Sequence, residues 1–285
     1  MFLRHVLAVL FSVAMLEAGW QVCCEKLDLA NYPAPGRFYV VDGVTLHLRC
    51  VGAGSPTIVL ISGSGASSVL SYELQDRMSQ RARVCTYDRP GLGWSSPSHG
   101  HACITDSADQ LISLLAVANE AGPFLLVPES FGGLIALSMA KRRPDLVAGL
   151  VMVDSSEPQL WFHAMPELVG PTFRNNILMQ IGWRLGVVRI GLKYGQPDWI
   201  ENMSERNQQC FSAIYSRPIP SYAEGAAAFL QSSPFDFRAF GAGALADLPM
   251  LVITHGEDHG ELSEAFESGW AEAKGVSPRT RPHPS

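Results

Sequence analysis

What the sequence has little of limits the functions open to it. Only 17% of its 285 residues are charged, and 21 Lys and Arg residues are outnumbered by 27 Asp and Glu residues. No basic stripe or polybasic run is present, so we expect no nucleic acid partner. The sequence also has no long low-complexity tract and no internal repeat of about 20–50 residues, which argues against a solenoid or repeat architecture.

Cysteine is scarce as well. The cysteines are Cys23, Cys24, Cys50, Cys85, Cys103 and Cys210. Their spacing fits no zinc-binding pattern, and so few in a chain of this length do not form a disulfide framework. Cys50 and Cys85 both fall near predicted strands. A disulfide between them in an exported protein and two buried free thiols are both open interpretations.

The N-terminal segment differs from the rest of the chain. Arg4 and His5 precede an apolar run from Val6 to Leu16, which only Ser12 interrupts and Glu17 ends. This run suits a signal-peptide core better than a membrane span, which needs ~20 apolar residues. We therefore predict that residues 1–24 are a signal peptide or, if the following apolar residues are included, an uncleaved membrane anchor. Either prediction places the remaining residues outside the cytoplasm, membrane-anchored or exported to the periplasm or the medium. A buried N-terminal helix is the alternative.

The rest of the sequence predicts an α/β fold. Residues 25–37, with "NYPAPGR", are predicted as a linker, and Asp42-Gly43 as the turn of a hairpin. Apolar runs typical of buried strands then alternate with helical segments at 71–82, 105–119 and 132–143. Continuous apolar strands in such an alternation indicate a mostly parallel sheet flanked by helices on both faces. The last of these strands is predicted in "LPMLVITHG", residues 248–256.

The alternation stops between about residues 156 and 246, in a stretch rich in Trp, Phe, Met, Pro and Arg. An insertion between two sheet strands at their carboxyl ends commonly forms a lid. We therefore predict a first part of the core at 38–155, a helical cap at 156–246, and a second part of the core at 247–285.

Ser130, in "LLVPESFGG", is the predicted nucleophile. It follows an apolar strand and precedes a helix that begins with Gly132 and Gly133. This is the context of a nucleophile elbow, G-x-S-x-G, in which small neighbours let the strand and the helix approach each other. Pro128 stands at the first glycine position, and it is a compact but imperfect substitute because it lacks an N–H. The alternative is an ordinary polar residue at the end of a buried strand.

An elbow serine needs an oxyanion hole to stabilise the charge that develops on the substrate oxygen. One donor would be the main-chain N–H of Phe131, the residue after the serine. The second would come from the loop "ISGSGASS", where a buried strand ends in small residues. We predict that the N–H of Ser64 is this second donor. A plain Gly/Ser turn is the alternative.

Taken in order, the segments "VLISGSGASS", "VCTYDRPGLGWS", "LLVPESFGG", "VAGLVMVDSSEP" and "LPMLVITHG" resemble the α/β-hydrolase superfamily, from about residue 33 to 278. The chain is most similar to lipase- and esterase-like members with an N-terminal hydrophobic segment and a "YPPPG"-type linker. The resemblance implies an eight-stranded, mostly parallel sheet and a cap between the sixth and seventh strands. It also implies a Ser–Asp–His triad in that chain order and no metal or organic cofactor.

The resemblance leaves the acid open between Asp154, at the end of the sixth strand, and Asp258, just after the seventh. We favour Asp154, because members like this chain often lack a carboxylate after the seventh strand. The histidine is expected in a Gly-His context after an eighth strand. The histidines after Ser130 are His163, His255, His259 and His283, none in that context. We therefore expect the chain to lack the catalytic histidine, the eighth strand and the last helix.

Two classes of function follow. The first is a serine hydrolase acting on carboxylic esters or lipid-like acyl substrates through an acyl-serine, impaired by the missing histidine. The second is a non-catalytic binding protein or truncated remnant with the same fold. A haloperoxidase- or lyase-like activity is a third interpretation, because the fold does not fix the reaction. A dehalogenase would need Asp in place of Ser130. Dinucleotide binding is disfavoured because Ser68 stands where G-x-G-x-x-G needs its last glycine.

Overall fold

The structure is a computed structural model that describes residues 1–98, 103–156, 158–231 and 247–254. Its centre is a seven-stranded sheet with the strand order β1-β2-β4-β3-β5-β6-β7. The strands are β1 (Arg37–Val41), β2 (Val44–Val51), β3 (Thr57–Ile61), β4 (Val84–Tyr87), β5 (Phe124–Pro128), β6 (Val147–Val153) and β7 (Met250–Ile253).

The predicted hairpin and the predicted parallel sheet are both confirmed. β1 and β2 pair antiparallel, and the turn residues Asp42 and Gly43 both have positive φ, as a two-residue hairpin turn requires. β2 also pairs antiparallel with β4. From β4 to β7 every neighbouring pair is parallel. The position expected for an eighth strand, after β7, lies outside the described residues.

Helices cover both faces of the sheet. The core helices are α2 (Tyr72–Met78), α3 (Ile104–Val117) and α4 (Gly132–Arg142). In β3, Val59 and Ile61 belong to the main core cluster, which also contains buried residues of α3 and α4. Ile58 and Leu60 point the other way and belong to a second cluster with Met78 of α2. Burial on both faces explains why this strand is apolar throughout rather than alternating.

The predicted cap is present as a series of helices between β6 and β7. They are α5 (Pro158–Arg184), α6 (Val187–Tyr194), α7 (Glu205–Tyr215) and α8 (Glu224–Gln231). Trp183 is 1% exposed and forms the centre of a small cluster with Leu92 and Ile219. The cap therefore has its own apolar core, which also takes in one residue from the loop after β4.

A single helix, α1 (Phe2–Asn31), precedes the sheet. It continues through residues 25–31, so the linker that we predicted at 25–37 is confined to the residues between Asn31 and Arg37. The reason is tertiary contact: Asp28 in the last turns of α1 forms an ion pair with Arg189 of α6 at 2.7 Å. Among the described residues, α1 is the one helix long and apolar enough to cross a membrane, a criterion that a signal sequence also meets.

A disulfide joins two neighbouring strands. Cys50 of β2 and Cys85 of β4 stand opposite each other in the antiparallel register and are bonded. Of the two interpretations that the sequence left open, the structure therefore shows the disulfide. Such bonds persist mainly in oxidising compartments, which agrees with an export signal at the N-terminus.

We predict that the paired substitution Cys50→Ser and Cys85→Ser lowers the free energy of unfolding. The bond closes a loop with a sequence separation of 35, for which loop-closure entropy gives about 4 kcal/mol. Urea unfolding of the oxidised protein with and without dithiothreitol measures the effect. The reductant should destabilise the unmodified chain and leave the double variant unchanged. An equal response of the two proteins would mean that the cysteines are not bonded.

Candidate active site

Ser130 lies on a sharp turn between the end of β5 and the start of α4. Its φ is +47°, a left-handed conformation that is uncommon for residues other than glycine and concentrates at functional sites. Its N–H donates to the carbonyl of Val153 at 3.3 Å, and its carbonyl accepts from Gly133 and Ser156 at 2.9 Å each. The strand–turn–helix geometry that the sequence predicted around Ser130 is therefore present.

The two glycines after Ser130 are needed because the turn is crowded. A Cβ on Gly132 would lie 2.4 Å from the carbonyl oxygen of Ile61, and one on Gly133 would lie 2.7 Å from the Cβ of Ser155. Because Gly132 and Gly133 have no Cβ atoms, the first turn of α4 can pass directly over the ends of β3 and β6. Pro128 is tolerated as the last residue of β5, and its carbonyl accepts a hydrogen bond from the Ser155 hydroxyl at 2.9 Å.

We predict that Gly132→Ala destabilises the protein by about 1–3 kcal/mol, because the added methyl must displace α4 from β3. Gly191→Ala is the matched control, since a Cβ at this helical position would meet nothing within 4 Å. It should be neutral or stabilising by up to ~1 kcal/mol. Urea unfolding of both variants provides the comparison. Equal stabilities of the two variants would contradict the crowding at the turn.

The two predicted oxyanion donors come from the turn at Ser130 and the loop after β3. Within the described part of the chain, neither the Phe131 N–H nor the Ser64 N–H donates a hydrogen bond to another protein group. The loop approaches the serine closely, since a Cβ on Gly63 would lie 3.2 Å from the Cβ of Ser130. Both main-chain donors are therefore unused and lie on segments that meet at Ser130.

Arg89 fixes the orientation of this loop. Its guanidinium donates to the carbonyl of Ser62 at 2.7 Å and to the carbonyl of Gly63 at 2.5 Å. In a trans peptide the C=O and the following N–H point in opposite directions. Because Arg89 holds the Gly63 carbonyl, the Ser64 N–H must point away from Arg89.

Glu224, the first residue of cap helix α8, neutralises Arg89. The Arg89 Nε lies 2.6 Å from one carboxylate oxygen, and Nη2 lies 2.8 Å from the other. The second of these oxygens also accepts from the Gly65 N–H at 3.3 Å. Burial alone would lower the pKa of Arg89, but the Glu224 carboxylate more than offsets this, and the pKa is raised above its ordinary value. The ion pair ties the loop after β3 to the cap.

We predict that Glu224→Gln lowers the free energy of unfolding by about 3–5 kcal/mol, because it leaves the buried Arg89 charge without its counter-ion. The double variant Arg89→Met/Glu224→Leu should recover most of this loss, since it removes both charges. Arg142→Gln serves as a control, because it breaks an exposed ion pair with Asp109 that is worth at most ~1 kcal/mol. If Glu224→Gln lowered the free energy of unfolding no more than the control Arg142→Gln, the buried ion pair between Arg89 and Glu224 would be contradicted.

Asp154 lies beside the serine turn. It directly follows β6 in a left-handed conformation, with φ +40°, and its N–H donates to Ile253 of β7 at 2.8 Å. Ser130 forms main-chain hydrogen bonds with Val153, the residue before Asp154, and with Ser156, two residues after it. The structure thus brings Asp154 to the same edge of the sheet as Ser130, whereas Asp258 lies outside the described residues.

Comparisons with known proteins agree with this geometry. A family model described as the alpha/beta hydrolase fold matches residues 56–176. Two solved structures share the fold. The Cif epoxide hydrolase from Acinetobacter nosocomialis has a TM-score of 0.63 at 16% identity, covering 83% of this chain and 80% of that one. A carboxylesterase of Nitrososphaera gargenis has a TM-score of 0.60 at 16% identity, covering 85% and 88%. The chain has the α/β-hydrolase fold.

The curated relatives of this chain include an uncharacterized protein of Schizosaccharomyces pombe, 27% identical over 79% of this chain and 46% of the relative. A pimeloyl-[acyl-carrier protein] methyl ester esterase of Vibrio atlanticus is 29% identical over 68% of this chain and 73% of its own length. The chain spans less than half the length of the first curated relatives that it matches.

One buried histidine of the sheet was not singled out from the sequence. His47 of β2 lies 2.8 Å from a carboxylate oxygen of Asp88, and both side chains are fully buried. Asp88 also accepts from the Ser68 and Trp94 N–H groups. β2 is three strands away from β5, about 14 Å across the sheet. This pair therefore anchors the "YDRPGLGWS" turn to the sheet and does not reach Ser130.

The predicted base lies outside what the structure describes. His255, His259 and His283 belong to the residues without description, and the side chain of His163 is likewise undescribed. Two tryptophans of the cap lie in different surroundings. Trp183 belongs to the cap core, where its indole N–H donates to Tyr215. Trp161 lies beside the site, with its ring centroid 6.1 Å from that of Phe131.

Proposed function

We propose that this chain is a serine hydrolase of carboxylic esters or related acyl bonds, with Ser130 as the nucleophile. The observation that supports it most is the left-handed φ of Ser130, at a turn flanked by two main-chain N–H groups that have no acceptor among the described residues. Such a turn exposes a serine hydroxyl next to donors that can stabilise an oxyanion. An incidental strand-end serine has no need of either feature.

The reaction proceeds in two steps through an acyl-serine. The Ser130 oxygen attacks the carbonyl carbon of the substrate while its proton passes to a base, and the carbonyl oxygen becomes an oxyanion held by Phe131 and Ser64. The carbon–oxygen bond to the alcohol then breaks, and the alcohol leaves with the proton. Water next attacks the acyl-serine by the same route, which releases the acid and restores the serine.

Activation of Ser130 requires a histidine oriented by a carboxylate, for which Asp154 and Asp258 are the two candidates. Asp154 is favoured, because its backbone adjoins the serine turn. A small ester or lipid-like substrate is supported by the relatives, among them the methyl ester esterase, and by the apolar surface of Trp161 beside Phe131.

A non-catalytic protein with the same fold is the second candidate. The observation that favours it comes from the sequence, where none of the histidines after Ser130 stands in a Gly-His context. His47 is committed to Asp88 in the interior, and His5 lies near the start of α1. In that case the Arg89–Glu224 pair and the elbow would be retained for folding, and the loop after β3 would bind a ligand without cleaving it.

We predict that a fluorophosphonate probe labels the purified full-length protein at Ser130 and that Ser130→Ala abolishes the labelling. The serine oxygen forms the bond to phosphorus, while the leaving group departs and the phosphoryl oxygen takes the place of the oxyanion. Gel fluorescence reports the labelling, and turnover of p-nitrophenyl butyrate is followed in parallel. Ser113→Ala, on α3, is the matched control and should label like the unmodified chain.

The outcomes separate the two candidates. Labelling that vanishes in Ser130→Ala, together with turnover, supports the hydrolase and makes His255→Ala, His259→Ala and His283→Ala the next variants to test for the base. No labelling of a folded protein, with its thermal transition intact, would favour the non-catalytic candidate. Labelling that persists in Ser130→Ala would mean that another residue is the nucleophile.

A further inference from the structure

The cap carries an exposed apolar surface on the two helices that meet at Gly186. We call it the apolar cap face, and it consists of Ile177, Leu178 and Ile181 on α5 with Val187, Ile190 and Tyr194 on α6. Each of these side chains is between 48% and 79% exposed. Isolated exposed apolar residues are normal, but a contiguous group of this kind marks a surface that is covered in use.

The same segment has a strong positive charge. Between Glu167 and Asp198 the sequence contains four basic residues and no acidic residue, although the whole chain has a net charge of −6. Three of the four, Arg174, Arg184 and Lys193, are exposed. Apolar side chains interspersed with basic ones form the pattern that binds the interface of an anionic bilayer.

The helix α1 is held against the cap beside this face. The second half of α1 is fixed to the cap, because the Gln21 amide donates to the Ser216 carbonyl at 2.7 Å and accepts from Arg189 at 2.9 Å. The first half is apolar and exposed, from Phe2 to Leu16. The boundary between the halves is Trp20, whose ring lies against the α5–α6 corner, 2.6 Å from where a Cβ on Gly186 would be.

The length of the exposed half fits a bilayer. From Phe2 to Trp20 the helix rises about 27 Å, close to the ~30 Å of the hydrocarbon core. With this half inserted, Trp20 would lie at the headgroup level, where tryptophan is enriched. The α5–α6 corner would then lie at the membrane surface as well, with the apolar cap face beginning beside it.

We propose that the apolar cap face rests on the surface of an anionic lipid bilayer, next to the point where α1 enters it. A second copy of the chain is a poorer occupant, because two such faces would bring like charges together across an apolar contact. The proposal does not depend on the catalytic role of Ser130. It requires only that α1 and the cap have the relative position given by Gln21, Asp28 and Arg189.

A fluorescent reporter at the face tests the proposal with the full-length chain. Ile181→Cys is labelled with a nitrobenzoxadiazole dye in a background of Cys23→Ser, Cys24→Ser and Cys103→Ser, which leaves the Cys50–Cys85 disulfide intact. Val117→Cys is the matched control, an exposed apolar position on core helix α3. Both proteins are reconstituted into vesicles of phosphatidylcholine and phosphatidylglycerol, with and without a doxyl-labelled lipid that quenches the dye.

We expect the doxyl lipid to quench position 181 several-fold more than position 117, and the difference to shrink in vesicles of phosphatidylcholine alone. Equal quenching at the two positions, weak or strong, would overturn the proposal. A dye at position 181 that is shielded without lipid, to an extent that rises with protein concentration, would also overturn it by showing that a second copy covers the face. Unchanged thermal transitions confirm that the labelled variants are folded.

Discussion

The buried ion pair between Arg89 and Glu224 is the interaction on which the arrangement of the site depends. Arg89 lies two residues after the end of β4. Its guanidinium donates hydrogen bonds to the carbonyls of Ser62 and Gly63, and its charge is neutralised by Glu224, the first residue of cap helix α8. Two parts of the chain 135 residues apart are joined in this way. A buried guanidinium without a counter-ion is costly, so the loop after β3 keeps this conformation only while the cap is in place. The candidate oxyanion donor Ser64 therefore depends on the cap as well as on the sheet.

Around this pair, the site is shaped as much by missing side chains as by those present. Gly132 and Gly133 let α4 begin directly over the sheet. Gly63 lets the loop after β3 lie against Ser130. Gly93 likewise allows a close approach in the "YDRPGLGWS" turn, because a Cβ there would overlap the Asp88 carboxylate. The "YDRPGLGWS" turn directs the Arg89 side chain toward the loop after β3. These close approaches hold the strained backbone of Ser130, which no local propensity would favour.

The sequence was informative where local pattern determines structure. Apolar runs and turn residues predicted the sheet, the hairpin at Asp42-Gly43 and the turn at Ser130, because periodicity and glycine placement act over a few residues. Contacts between distant segments were not predictable in this way. Nothing near Arg89 identifies Glu224 as its partner, nothing near His47 identifies Asp88, and the helical extension of α1 depends on Arg189. Asp154, Ser64 and Phe131 were named from the sequence as candidates, and their roles stay predictions.

The most direct test of this site is a crystal structure of the protein after reaction with a fluorophosphonate. The account predicts phosphorus bonded to the Ser130 oxygen, with the phosphoryl oxygen within hydrogen-bond distance of the Phe131 and Ser64 N–H groups. Arg89 should remain paired with Glu224 and bound to the Ser62 and Gly63 carbonyls. An adduct on another residue, or a phosphoryl oxygen facing donors other than these two, would contradict the assignment of the nucleophile and the oxyanion hole.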